Sequence, residues 1–412
     1  MDDTPPALFM LPHELLEFIL LFCHPRDIAH FAMTCRSAET LVYGSVDLYF
    51  WRQLFLNYFD DPRLQLPHPV DGAFDWKGQL IRRMKAERVV FTGGDRQSAL
   101  ETLLSIAGEA LPSSIVIQRS RNVDWLHHVL STSAVLDASF APNEARFGDR
   151  LKAYMGLSLT PDTEDNLEQL RTTRTHSRCA VYDLRNYHRG NRWGPYMTDG
   201  SINWSRVEQL INVVETNLRE QQIEHPSIPF PRPPVGLQAI RPHSAPGDFS
   251  GADWAGVEGT WRRYVCFMDY RDQFSDAVGG ARDPSFFDDI EFHEATRLIE
   301  LQLHLIPREK MRIKFPTGDP PANPHKDYPT LYISGTSRGA STQEAMVQGF
   351  VYMGEDFVPR WRFTSIHDGH PQWSSEGVQI GGIGSAMGVS GTWSAFHHGE
   401  GKPYWLWKVA AL

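Results

Sequence analysis

The sequence predicts an α+β multidomain chain. A three-helix module is expected within residues 1–60, a helical linker region over 61–175, a mixed segment with a proline-rich connector over 176–252, and an antiparallel β-barrel over 253–412. Three observations carry that prediction. Apolar residues recur at three- and four-residue spacing near the N-terminus, prolines interrupt regular structure around residue 230, and apolar alternation of period two dominates beyond residue 252.

In the first block Pro12 suits the first turn of a helix, where its missing N–H costs nothing, and Glu14 places negative charge near the positive end of the helix dipole. Leu11, Leu15, Leu16, Ile19 and Leu20 then form an apolar stripe. A break follows at Pro25-Arg26, with Asp27 as cap. Ile28, Phe31 and Ala32 continue in a short second helix, and Cys35, Ala38, Leu41 and Val42 mark a third. Phe50, Trp51, Leu54 and Phe55 close the block before Asp60-Asp61-Pro62. A domain of this size buries only about 60% of its unfolded surface, so a partner or the rest of the chain must cover the apolar excess.

Leu11-Pro12, Glu14-Leu15-Leu16, Ile19-Leu20, Asp27-Ile28, Cys35-Arg36-Ser37 and Trp51-Arg52-Gln53-Leu54 resemble the F-box. The resemblance implies a three-helix module that binds a Skp-type adaptor and, through it, a cullin-RING ubiquitin ligase. One departure is extra length between Cys35-Arg36 and Trp51, where Tyr43-Gly44-Ser45-Val46-Asp47 reads as a turn. The wider chain also resembles large F-box proteins of fungi, through Val181-Tyr182-Asp183-Leu184-Arg185, Trp193-Gly194-Pro195, two Gly-Thr-Trp segments and the ending Tyr404-Trp405-Leu406-Trp407-Lys408. That likeness brings no assigned substrate.

The middle region reads as helical: Trp76, Leu80, Ile81 and Met84 suit one helix, Leu100, Leu103, Leu104 and Ala107 a second, and Trp125, Leu126, Val129 and Leu130 a third. Arg82-Arg83-Met84-Lys85 is expected on a solvated helix face. Residues 162–170 suit a charged helix, and the period turns strand-like at Cys179-Ala180-Val181-Tyr182. Asn203 is a natural N-cap for a helix carrying Val207, Leu210, Ile211, Val214 and Leu218. Pro226, Pro229, Pro231, Pro233, Pro234, Pro242 and Pro246 then exclude a helix or central strand and leave an ordered connector.

Beyond it, Ile299, Leu301, Leu303 and Leu305 alternate with polar residues as a half-buried strand. Met311, Ile313 and Phe315, Trp361 and Phe363, and Trp405, Trp407 and Val409 repeat the pattern. Gly256-Val257-Glu258-Gly259-Thr260-Trp261 is echoed by Gly388-Val389-Ser390-Gly391-Thr392-Trp393, and in a closed barrel the first and last strands are neighbours. The Gly-x-Trp pair and the length resemble lipocalin-like barrels, in which a tryptophan closes one end.

Composition bounds the function. Hydrophobic content of 41% supports sizeable cores, and no apolar run approaches the ~20 residues that span a bilayer. The acidic N-terminus lacks the basic region of a secretory signal, so a cytoplasmic or nuclear location and no membrane partner are expected. A net charge of -10 argues against nucleic-acid binding. The four cysteines form no Cys-x-x-Cys pair, so neither a disulfide framework nor a cysteine-rich zinc site is expected, and no metal or other cofactor is assigned. Gly335-Thr336-Ser337-Arg338-Gly339, with Asp368 and His397 or His398, has the chain order of an α/β-hydrolase triad, but a nucleophile elbow needs a strand-turn-helix context that this region lacks. His367-Asp368-Gly369-His370 and His397-His398 are read as turn residues rather than metal ligands.

The chain is therefore expected to be a non-catalytic subunit that recruits an unidentified protein substrate for ubiquitination. Leu11, Pro12, Leu15, Leu16, Ile19, Ile28 and Trp51 are expected at or directly beneath the adaptor interface. Trp261, Arg263, Trp361, Arg362 and Trp373 are the aromatic and arginine candidates for substrate contact, against a role in barrel core and rim. A small-molecule-binding lipocalin-like barrel is the alternative, and a serine hydrolase using Ser337 a more distant one.

Overall fold

The computed structural model describes the chain except residues 1–6, 45–47, 65–73, 114–118, 248, 250, 269–282, 290–291, 293, 316–317, 321–324, 340–343, 398–400 and 411–412. It divides into two compact units, Met1–Leu111 with Ile115–Ser139, and Pro112–Ser114 with Phe140–Leu412.

The first unit is helical: α1 (His13–Leu20), α2 (Pro25–Ala32), α3 (Arg36–Tyr43), α4 (Tyr49–Tyr58), α5 (Trp76–Thr92), α6 (Arg96–Gly108) and α7 (Arg121–Thr132). Pro12 stands at the N-cap of α1, with Glu14 in the first turn. The cap of α2 differs from expectation. His24 fills it, its ring nitrogen accepting the Arg26 N–H, because Pro25 takes the first helical position and leaves Asp27 inside the first turn. Cys35 caps α3 through its sulfur, which accepts the Ala38 N–H at 3.4 Å. The turn read at 43–47 lies partly outside the described residues. Trp51 then falls on α4, where it stacks on Tyr43 at 5.7 Å between centroids.

Part of the apolar excess of the first block, on α4, is covered by the helices that follow. Phe55 packs edge-on against Trp76 at 5.5 Å, and Phe59 against Trp125 at 5.1 Å. Arg83 corrects the expected solvated face. It is buried, lies 4.7 and 4.4 Å from the Phe55 and Phe59 ring centroids, and pairs with Glu109. Burial pulls its guanidinium down to about 10. The helix-period count missed this because Arg83 shares its face with Leu80 and Ala86.

Asp60 ties α4 to α6 and α7. Its carboxylate accepts the Leu111 N–H at 3.1 Å, the Arg121 N–H at 2.7 Å and the Ser120 hydroxyl, which places negative charge at the start of α7. Asp60→Ala leaves these buried donors without an acceptor, and is expected to lower the urea-unfolding stability of this unit by about 3 kcal/mol. An unchanged midpoint would show that water replaces the carboxylate.

The second unit carries α8 (Pro142–Met155), α9 (Leu167–Val181), α10 (Trp204–Glu224) and a short α11 (Pro284–Asp288) around an eight-stranded barrel. Its strands are β1 (Gly259–Met268), β2 (Glu294–Ile306), β3 (Leu331–Arg338), β4 (Glu344–Met353), β5 (Pro359–His367), β6 (His370–Gln379), β7 (Val389–Ala395) and β8 (Lys402–Val409). They follow one another antiparallel, and β1 pairs with β8 to close the barrel, Trp261 opposite Lys408. Period-two alternation sends Trp261, Leu301, Ile333, Val347, Trp361, Phe363, Val389, Tyr404 and Leu406 into one buried core. The outer side of β1, β2, β7 and β8 is covered by α10, so Tyr264, Cys266 and Met268 are buried from outside as well.

Asn203 caps α10, accepting the Arg206 N–H at 3.0 Å, and the stretch of seven prolines forms neither helix nor strand. Two expectations fail. Residues 179–182 do not open a strand; α9 runs on to Val181, where Val181 and Tyr182 pack on Leu210 and Phe287, so tertiary packing overrides a β-favouring run. Met311, Ile313 and Phe315 do not join the sheet. They lie outside it against Tyr332, Phe350 and Tyr352, with the Arg312 N–H on Gln348, and a one-sided contact of this kind produces the same alternation as a strand.

The Gly-Thr-Trp echo also resolves differently from a first-and-last-strand pair. Trp261 is on β1 but Trp393 is on β7, towards the opposite end of the barrel. Trp261 closes its own end: its indole N–H donates to the Val257 carbonyl at 2.8 Å, and Lys408 Nζ donates to the Gly256 carbonyl at 2.9 Å. This closure is compatible with a lipocalin-like barrel. The motif at 367–370 is a two-residue hairpin, with His367 opposite His370 and positive φ at Asp368 and Gly369. Gly369→Val, at φ 80, is expected to cost about 1–2 kcal/mol of barrel stability, read as a lowered melting temperature.

Candidate adaptor-binding and target-binding surfaces

On α1, side chains three and four positions apart divide between two directions. Leu16 is 3% exposed and Leu20 is buried with it, whereas Leu15 is 50% exposed and Leu11, Pro12 and Ile19 are also open. Phe18 and Phe22 extend the open side and meet edge-to-face at 5.1 Å, and Phe22 is 79% exposed. Leu8, Met10 and Met33 are exposed too. Between the helices lies a cleft of about 310 Å³, lined by Leu8, Leu16, Ile19, Leu20, Ile28 and Phe31 among others. Contiguous exposed apolar surface of this kind marks an interaction face.

Of the seven residues expected at this face, Leu11, Pro12, Leu15 and Ile19 are exposed, and Leu16, Ile28 and Trp51 are buried. Ile28 lines the floor of the cleft, and Trp51 braces α4 against α3. The sequence reading passed over Leu8, Phe18, Phe22 and Met33. The pair Phe18 and Phe22 carried the missing signal, two aromatics four apart beside, not within, the buried Leu16–Leu20 row.

Residues 8–45, which span α1, α2 and α3, match the family model of the F-box domain. This chain carries an F-box. The match supports a role in binding the adaptor of a Skp-cullin-F-box ubiquitin ligase. No curated protein and no solved structure matches the chain. The Trp51-Arg52 of the sequence reading lies on α4, beyond the matched F-box segment.

The barrel residues expected to contact substrate sit in three different settings. Trp261 and Trp361 are core, edge-to-face at 5.1 Å. Arg263 points inward and is 4% exposed; its Nη2 donates to Ser375 Oγ at 2.8 Å, and its guanidinium lies 4.4 and 5.1 Å from the Tyr404 and Phe363 ring centroids. Arg362 points outward yet is buried, paired with Glu376 and donating to the Gly318 carbonyl at 2.8 Å. Burial opposes its charge, but the Glu376 carboxylate outweighs that and holds the guanidinium above its usual value. Trp373 is the open one of the five at 38% exposure, edge-to-face with Trp393 at 4.9 Å.

The hydrolase-like residues do not assemble an elbow. Ser337 lies inside β3, opposite Leu301 and Ala345, and Asp368 sits in the β5–β6 hairpin. His398 is outside the described residues. Among the described residues no group of three His, Cys, Asp or Glu side chains is arranged to hold a metal, and no helix is long and apolar enough to cross a membrane.

Proposed function

We propose that this F-box protein is the target-selecting subunit of a Skp-cullin-F-box ubiquitin ligase. The observation that carries the reading is the open apolar face of the matched F-box, where Leu11, Pro12, Leu15 and Ile19 are exposed over the buried Leu16 and Ile28; in the proposal the four exposed residues touch the adaptor, and Leu16, Ile28 and, on α4, Trp51 support them. The barrel unit selects the target protein, and Trp373 at its rim is the first residue expected to touch it. The chain does no covalent chemistry in this role. It raises the local concentration of a target lysine beside the conjugating enzyme, in the cytoplasm, the nucleus or both. The domain division expected from the sequence, residues 1–60 for the adaptor and 253–412 for the target, is part of the proposal.

The test is a comparison of ubiquitinated proteins in cells expressing the wild type, a variant disabled in the F-box face, and Trp373→Glu. Target proteins should lose ubiquitin in both variants, whereas adaptor binding should survive in Trp373→Glu. No protein whose ubiquitination depends on the F-box would contradict the reading; dependence on the F-box with indifference to Trp373 would move the target contact elsewhere.

A further inference from the structure

Four buried arginines among the described residues pair with acids. Arg83 has Glu109, Arg178 has Glu294 and Glu220, Arg360 has Asp356, and Arg362 has Glu376. Arg206 and Arg241 donate to backbone carbonyls instead, of Ala180 and Pro112, whereas the one side-chain hydrogen bond of Arg263 among the described residues goes to a hydroxyl. Arg263 sits inside the barrel, and among the described residues no carboxylate pairs with it; its hydroxyl partner Ser375 supplies an acceptor but no charge. Among the described residues its Nε has no acceptor, and the Tyr404 hydroxyl, on the ring its guanidinium faces, and the Trp361 indole N–H are buried without partners as well. An isolated cation in an apolar interior is costly, and a residue that bears such a cost is expected to be compensated by something that binds.

The register places Arg263 among its neighbours inside the barrel. Ser375 is paired with Trp393, and Trp393 meets Phe267 at 6.0 Å and Trp373 at 4.9 Å, so the guanidinium lies directly below an aromatic cluster at the end of the barrel away from Trp261. Arg297 and Lys402 lie over those rings, at 4.9 Å from the Phe267 centroid and 5.5 Å from the Trp393 centroid, and add positive potential at the same end. One guanidinium, one hydroxyl and apolar walls suit a monoanion with an apolar body better than a phosphate, which carries more charge and more acceptors than these donors match.

We propose that Arg263 anchors an anion site inside the barrel, taking the carboxylate of an apolar organic acid whose body lies toward Phe267, Trp373 and Trp393. Tyr404 donates its hydroxyl to the same carboxylate. The site is independent of adaptor binding by the F-box, so the two readings succeed or fail separately.

The experiment uses the full chain with octanoate and octan-1-ol as probes, which share an apolar tail and differ in the anionic head. Calorimetry and tryptophan fluorescence should show octanoate binding roughly 10- to 100-fold more tightly than the alcohol, the range expected for hydrogen bonds to a charged group. Arg263→Gln should remove that preference while the near-ultraviolet dichroism of the barrel is retained. If Arg263→Gln fails to fold, Tyr404→Phe, which removes only the hydroxyl, should still weaken octanoate several-fold and leave octan-1-ol unchanged. Equal binding of acid and alcohol, or binding of neither to the folded wild type, would overturn the proposal and leave Arg263 held by Ser375 and the rings of Phe363 and Tyr404.

Discussion

Arg178→Ala is expected to destabilise the barrel-containing unit by about 3–5 kcal/mol, the cost of stranding a buried charge. Arg178 is fully buried at the end of α9. Its Nε donates to Glu294 at 2.9 Å, and its Nη2 donates to Asn217 at 2.6 Å and Glu220 at 2.9 Å, so one guanidinium joins α9 and α10 to β2. The Glu294 side chain is itself without solvent exposure, and burial raises its pKa even with Arg178 beside it. Without the arginine, Glu294 must take up a proton or remain an unpaired anion. The double substitution Arg178→Met with Glu294→Leu removes both charges and should recover most of the loss, because a buried ion pair gains little over well-packed apolar groups. Chemical denaturation of the three proteins checks both statements. A single variant as stable as the wild type would mean that the network is wet and contributes nothing.

Leu15→Asp with Ile19→Asp is expected to reduce adaptor affinity on the order of 100-fold or more, since each new carboxylate would be desolvated without a partner in the complex. Both side chains are exposed in the free chain, so the substitutions should leave the helical content and the melting temperature of the first unit nearly unchanged. Leu16 must not be used for this purpose. It is buried beside Leu20 and Ile28, and a carboxylate there would disrupt the module itself, making lost binding uninformative. Leu16→Ala, by contrast, should cost about 2–5 kcal/mol of stability through the cavity it leaves. Retained binding by the surface variant would place the adaptor contact on another face.

The N-terminal module and the closed barrel were legible because each rests on a periodicity that one solvent boundary imposes. On α1 the stripe is legible, but spacing joins its two directions into one; Leu16 and Leu20 face inward and Leu11, Leu15 and Ile19 outward, so this helix is apolar on both sides. A helix apolar on two faces looks like a broad single face when only spacing is read. The helix α8 was missed although Pro142 at its first position and Glu144, whose carboxylate accepts the Ala141 N–H at 3.0 Å, are start signals; its apolar residues are sparse and it hides Leu151, Tyr154 and Met155 by packing against α10. The aromatic and arginine residues chosen for substrate contact were chosen by type, and type does not tell inside from outside on a strand. Alternation places Trp261, Arg263 and Trp361 on the inner side once the register is known, and Arg362 is hidden for a reason no periodicity contains, the Gly318 carbonyl and Glu376 closing over it.

The measurement that tests the central claim most directly is a calorimetric titration of the full chain with a purified Skp-type adaptor, run beside Leu15→Asp with Ile19→Asp and with circular dichroism of both proteins. A one-to-one complex with the wild type, lost in the folded variant, is the predicted result; no complex with the folded wild type, or equal affinity for both proteins, would contradict it.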